Sequence, residues 1–184
     1  MIKPCEQTHF IGVTVSGQLA ETVSSCRRWM NERFGCKSGH QTPPHVTLIP
    51  PFTFPDERRI VDLELALEAF INRQKPFDGR FRGFGAFAGR TVFVRVMADP
   101  RWNAWHESVY EAVIKAFPDL IHRDKRPFTP HLTVSNRDIP LGAVPEALSH
   151  FDTLDLDVSI PIDHIVLFER TGTRWDIRNG WYAP

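Results

Sequence analysis

Apolar residues recur along the chain at intervals that predict alternating strands and helices. Residues 8–15 carry Phe10, Ile11, Val13 and Val15, β-forming side chains that predict a strand. Leu19, Val23, Cys26, Met30 and Phe34 then fall at helical spacing, with Gly35 placed to end the helix. Residues 37–44 are polar and proline-rich, hence a loop. A strand over 45–49 follows, and Pro50-Pro51 is expected to close it, because proline cannot continue a ladder. Asp56 can cap a helix whose apolar face is Ile60, Leu63, Leu67, Phe70 and Ile71. Residues 77–87 read as extended and 91–97 as a strand, with Gly89 turning between them. Asp99-Pro100 starts a helix bearing Trp102, Trp105, Val109, Ala112, Val113 and Ala116 on one face. A basic loop over 123–127 leads to a strand at 131. Beyond it the pattern predicts a short helix over 141–148, then strands over 154–160, 162–168 and 174–177, with Thr171-Gly172 as a hairpin turn.

Two of these strands open alike. Pro44-His45-Val46-Thr47-Leu48 and Pro130-His131-Leu132-Thr133-Val134 both read Pro-His-apolar-Thr-apolar. In a strand, positions i and i+2 share a face, so His and Thr of each stretch project together about 7 Å apart. The intervening apolar residues point to the core. The order of elements also repeats, and His45 and His131 lie 86 positions apart, close to half the chain. This predicts one α+β domain over 1–184, built by divergent duplication (about 8–88 and 91–170). The expected shape is bilobed and pseudo-two-fold: two antiparallel sheets flanked by helices, with both His/Thr pairs facing a central cleft.

Composition narrows the function. The 184 residues include 22 Lys+Arg and 22 Asp+Glu, so bulk electrostatic binding to nucleic acid or membrane is not expected. A local basic cleft is still open. The three cysteines form no CxxC pair and fit reduced thiols, with Cys26 on an apolar helical stripe as a core residue. No apolar run reaches the length of a membrane span, and the first residues lack the apolar core of a signal peptide. A cytoplasmic protein is the expectation, with no membrane partner.

Imidazole titrates near neutrality, so two histidines in one cleft can divide acid and base work. That suits in-line displacement at phosphorus: one ring accepts a proton from the attacking water, the other gives one to the leaving oxygen. Thr47 and Thr133 can donate to phosphate oxygens, and such chemistry requires no metal. A zinc site wants three or four ligands, and neither motif supplies a second one. A Gly-x-Ser-x-Gly elbow, a P-loop and a Gly-x-Gly-x-x-Gly fingerprint are all missing from the chain.

The paired motifs, with their contexts at 44–52 and 127–134, resemble the 2H phosphoesterases, the superfamily of LigT-type 2′-5′ RNA ligases and RNA 2′,3′-cyclic phosphodiesterases. The resemblance runs over essentially the whole chain. It implies two antiparallel-sheet lobes with terminal strands exchanged between them, and a phosphate-binding cleft without metal or other cofactor. It implies opening of 2′,3′-cyclic phosphates to 2′-phosphates, with His45 as general acid on the leaving 3′-oxygen and His131 as base on water. The substrates so implied are RNA with cyclic phosphate ends or small cyclic nucleotides; no protein partner is inferred. A 2′-5′ RNA ligase and a binding module for nucleotides or RNA ends, without turnover, are the alternatives. Related chains often carry Arg shortly after the second motif. Here Ser135-Asn136 intervene before a displaced Arg137, so Arg126, with Lys125, joins Arg137 as a candidate substrate contact, and Phe52 is the candidate for base stacking.

Overall fold

The computed structural model describes residues 7–54, 56–123 and 126–184. Cys5 and Lys125 lie outside the described residues. The described residues form eight strands and four α-helices in the order β1 (His9–Thr14), α1 (Gly17–Phe34), β2 (His45–Phe52), α2 (Ile60–Ile71), β3 (Phe77–Phe87), β4 (Thr91–Val96), α3 (Pro100–Ala116), β5 (His131–Asn136), α4 (Ala143–Asp152), β6 (Asp157–Ile162), β7 (His164–Thr171) and β8 (Arg174–Tyr182). The strands form one antiparallel sheet in the order β6-β3-β4-β5-β2-β1-β7-β8.

This is the α+β antiparallel architecture that the sequence pattern predicts. The two expected sheets are the four-stranded halves of a single sheet, which meet at one registered pair, Val46 with Leu132. One half joins β3 and β6 to β4 and β5; the other joins β7 and β8 to β1 and β2. Alternate residues of the motif strands supply the core: Val46, Leu48, Leu132 and Val134 are essentially inaccessible. Trp102 and Trp105 of α3 meet Phe77 of β3 edge to face. Each large apolar side chain buried so completely contributes about 1.5–3 kcal/mol.

Helix boundaries follow their caps. Asp99 accepts from the Arg101 N–H at the start of α3, and Gly35 ends α1. Asp56 accepts from the Arg58 N–H, but it caps a 3-10 turn, Glu57–Arg59, that precedes α2.

Several boundaries differ from expectation: β6 and β7 lie two to three residues later at their starts, and three further elements differ. β2 runs through Pro50-Pro51 to Phe52. β5 pairs with β2 only at Val46, so the far edge of β2 is unpaired there, and a proline removes no ladder bond. α4 extends to Asp152, beyond the expected 148. β8 runs to Tyr182 rather than 177. It is an edge strand whose residues are mostly exposed, so ladder bonds to β7 hold it and burial leaves no alternating pattern to read.

Candidate active site

Each motif histidine is the first residue of its strand. The preceding prolines hold the approach extended. The carbonyl two residues back thereby reaches the imidazole: Nδ1 of His45 bonds to Pro43 O at 2.7 Å, and Nδ1 of His131 to Thr129 O at 2.8 Å. A carbonyl only accepts, so Nδ1 carries the hydrogen in both rings. Both Nε2 atoms are left for a ligand.

The bridge between β2 and β5 sets the pairs against each other. With Val46 opposite Leu132, the antiparallel register puts His45 across from Thr133, and Thr47 across from His131. All four side chains stand on the face opposite the buried Val46 and Leu132. Direct cross-strand neighbours lie about 5 Å apart and diagonal ones about 7–8 Å, so the histidines occupy opposite corners of a small square. Neither threonine hydroxyl has a hydrogen-bond partner among the described residues.

Aromatic rings back both imidazoles. His45 packs on Phe10 and Phe168, with centroids at 4.8 and 5.0 Å. His131 meets Phe87 at 5.0 Å and Phe93 at 5.5 Å, both edge-on. Burial pushes the His45 pKa down to about 4; the Pro43 bond opposes this, and Arg27 and His131 add to it. Burial likewise lowers that of His131, against the Thr129 bond. Both rings are therefore neutral near pH 7 without a ligand, and an anion between them favours their charged forms.

The structure adds polar groups that the sequence reading missed. Arg27 of α1 is 5 % exposed and donates to Thr42 O at 2.8 Å and Thr133 O at 3.0 Å. It thus joins the loop before the first motif to the second motif strand. Among the described residues it has no carboxylate partner, and its burial lowers its pKa to about 10. A basic residue four positions after Val23 and three before Met30, inside an apolar stripe, was the available signal. Thr14 is registered with His45, and its hydroxyl lies 2.7 Å from Nε2 of His164, whose Nδ1 lies 2.8 Å from Asp163. Arg95 is registered with His131 and lies over Gly85, where a Cβ would stand 3.0 Å from its Nε. Strand register places Thr14 and Arg95, so no local sequence signal marks either.

Two other expected contacts, Phe52 and Arg137, are placed elsewhere. Phe52 is a core residue, 7 % exposed and packed on His9, with no free face for a base. Arg137 follows the end of β5, six residues and about 20 Å along the chain from His131. Its N–H bonds to Arg90 O, while its neighbour Asp138 accepts from Lys37 N, Ser38 N and the Ser38 hydroxyl. That segment clamps the loop leading to the first motif. Arg126 is exposed on the loop before β5. Cys26 and Cys36 are free and buried, and burial pushes the Cys26 thiol up to about 12, an inert state. Beside Pro43 and Pro44, a pocket of about 400 Å³ is lined by Arg27, Arg28, Arg174 and Trp175 among others.

No helix among the described residues is long and apolar enough to cross a membrane. No curated protein sequence matches the chain. Solved structures similar to it include TT0787 of Thermus thermophilus (18% identity, 95% of this chain and 97% of that one, TM-score 0.70). E. coli LigT complexed with 3′-AMP is similar too (18% identity, 96% and 98%, TM-score 0.65). So is the MHV ns2 PDE domain (16% identity, 89% and 99%, TM-score 0.59). These likenesses show the shared fold. The model of the 2′-5′ RNA ligase superfamily matches residues 15–174, most of the chain and both His-x-Thr motifs, and the protein belongs to that superfamily of 2H phosphoesterases.

Proposed function

We propose that the protein opens 2′,3′-cyclic phosphates of RNA ends or nucleotides to 2′-phosphates by paired-histidine catalysis without a metal in the reaction. The observation that carries this reading is the square of His45, Thr133, His131 and Thr47 about the Val46–Leu132 pair, with both Nδ1 atoms held by carbonyls. A phosphate over the square receives hydrogen bonds from the two threonines. Nε2 of His131 takes a proton from water as its oxygen bonds to phosphorus. The bond from phosphorus to the 3′-oxygen breaks, and that oxygen takes the proton from Nε2 of His45. The product is the 2′-phosphate.

His45 is neutral near pH 7 in the free protein, so it must gain its proton with the substrate. The phosphate charge supplies the driving force, which predicts proton uptake on binding. Arg27 adds fixed positive potential behind Thr133. Nδ1 of His164 lies against the Asp163 carboxylate and Nε2 against the Thr14 hydroxyl, whose oxygen has a lone pair to offer a substrate hydroxyl beside His45. The pocket lined by Arg28, Arg174 and Trp175 suits the nucleoside or the preceding phosphate. The 3′-AMP and ATP complexes of E. coli LigT are consistent with a nucleotide ligand.

Incubation with 2′,3′-cyclic nucleotides, and with oligonucleotides ending in a cyclic phosphate, tests the proposal in the presence of EDTA. Turnover to 2′-phosphates is expected. His45→Ala and His131→Ala should each lower it by about 10²–10⁴-fold, the usual worth of one acid or base. Tight binding without product would favour a binding module; joining of 2′-5′ ends without hydrolysis would favour a ligase. Either outcome overturns the hydrolytic reading, as would full activity in both variants.

A further inference from the structure

On the opposite face of β1 lies a second cluster that the proposed chemistry does not use. His9 precedes Phe10, so it points away from the motif face, beneath the end of β2. It is completely buried, against Phe52 and Phe54. Nδ1 bonds to the Thr8 hydroxyl at 2.8 Å, and that oxygen also accepts from Phe54 N–H at 2.8 Å. Nε2 is buried and has no hydrogen-bond partner. An orphaned polar atom so deep costs about 1–3 kcal/mol, which a native structure normally avoids.

Two carboxylates converge on this imidazole. Glu169 of β7 is registered directly with His9, and Glu57 begins the 3-10 turn before α2. One ring nitrogen and one oxygen from each carboxylate all lie within 4.8 Å of one another. Glu57 makes no hydrogen bond through its carboxylate among the described residues. Arg178 bonds to Glu169 and Glu64, each at 3.1 Å, so one guanidinium faces three carboxylates and the cluster carries surplus negative charge.

We infer that His9, Glu57 and Glu169 form a binding site for a divalent transition-metal ion, with zinc the best fit. Nδ1 is committed to Thr8, which orients the ring and leaves Nε2 as the ligand atom, as outer-shell partners do in known metal sites. One imidazole and two carboxylates suit zinc, cobalt or manganese better than calcium or magnesium, which prefer all-oxygen shells. Three protein ligands leave a position for water. Zinc–ligand bonds are about 2.0–2.2 Å, so the exposed Glu57 closes on the ion by a change of rotamer. The ion joins β1, β7 and the turn into α2. It stands behind the motif face, so it braces the fold and takes no part in the reaction.

The test uses the whole protein, stripped with a chelator and dialysed. Cobalt(II) is titrated in and followed by visible absorption, zinc is then added in competition, and thermal unfolding is recorded with and without zinc. One equivalent should bind with a tetrahedral or five-coordinate cobalt spectrum, and zinc should displace it and raise the unfolding temperature. Glu57→Gln should weaken binding at least tenfold and abolish the thermal shift, with metal-free unfolding unchanged because the side chain is exposed. Glu169→Gln should weaken binding similarly, and an exposed control, His122→Ala, should bind as the parent does. Absence of stoichiometric binding, or equal binding by the parent and both glutamate variants, overturns the site.

Discussion

Arg27→Met separates a structural from an electrostatic role for the buried cation. Methionine preserves much of the stem volume and removes the charge. Stability responds to two opposing effects. The guanidinium makes hydrogen bonds to Thr42 O and Thr133 O. Bonds from a charged donor contribute about 1.5–3 kcal/mol each, so roughly 3–6 kcal/mol is lost. Burial depresses its pKa from 12.5 to about 10. At 1.36 kcal/mol per unit, the variant is relieved of about 3 kcal/mol of desolvation. The expected net change is a destabilisation of about 0–3 kcal/mol, which leaves the protein folded. Activity is offset only in part, by easier protonation of His45. A phosphate on the hydroxyl side of Thr133 lies roughly 7 Å from the guanidinium; at an effective dielectric of about 20 that charge contributes about 2 kcal/mol, or about 30-fold in rate. Arg27 also depresses the His45 pKa, so its removal should move the limb of the kcat/KM profile that His45 controls to higher pH. Urea unfolding and a pH profile on a 2′,3′-cyclic nucleotide read both quantities. If kcat/KM stays within twofold of the parent and the limb does not move, the electrostatic role is wrong.

Gly12→Ala would place a methyl 2.7 Å from Val46 O and 3.6 Å from the His45 ring, forcing β1 from β2. A loss of about 1–3 kcal/mol by thermal unfolding, with displaced His45 resonances, is expected, and parent-like stability would contradict it. The histidines also predict acid sensitivity. Their folded pKa values lie below the unfolded value, so between about 4 and 6.5 the unfolded state binds more protons than the folded one for His45. Stability therefore rises with pH through that window and falls on acidification. His45 should cost about 1–2 kcal/mol by pH 5, discounted because solvent reaches its ligand-facing edge. An equal or higher urea midpoint at pH 5 than at pH 7 would refute this. Thr14→Val should raise KM for a cyclic nucleotide about tenfold with little change in kcat, since it removes the proposed acceptor; an unchanged KM would exclude Thr14 from the site.

Element identity was legible wherever burial is one-sided. The apolar stripes of α1, α2 and α3 and the alternation in β2 and β5 mark faces that the core requires. Legibility failed at β8, which faces solvent, and at Pro50-Pro51, where the missing neighbour strand is a property of the sheet. Phe52 misled for a related reason: it follows the motif closely, but its parity and the turn after it put the ring on His9 in the core.

For the candidate site, local order was enough to pair each imidazole with its threonine. The period of a strand is two, so His45 with Thr47 and His131 with Thr133 share a face whatever the rest of the chain does. Proline before each histidine likewise restricts the local approach. Only the tertiary structure decided that Val46 meets Leu132, which sets each histidine opposite the other strand's threonine. It also decided that Arg27 enters from α1, 106 residues from the Thr133 carbonyl it touches, and that Thr14 and His164 stand beside His45. Such contacts depend on strand register and helix docking, long-range choices selected by the whole core, and no short stretch of sequence encodes them.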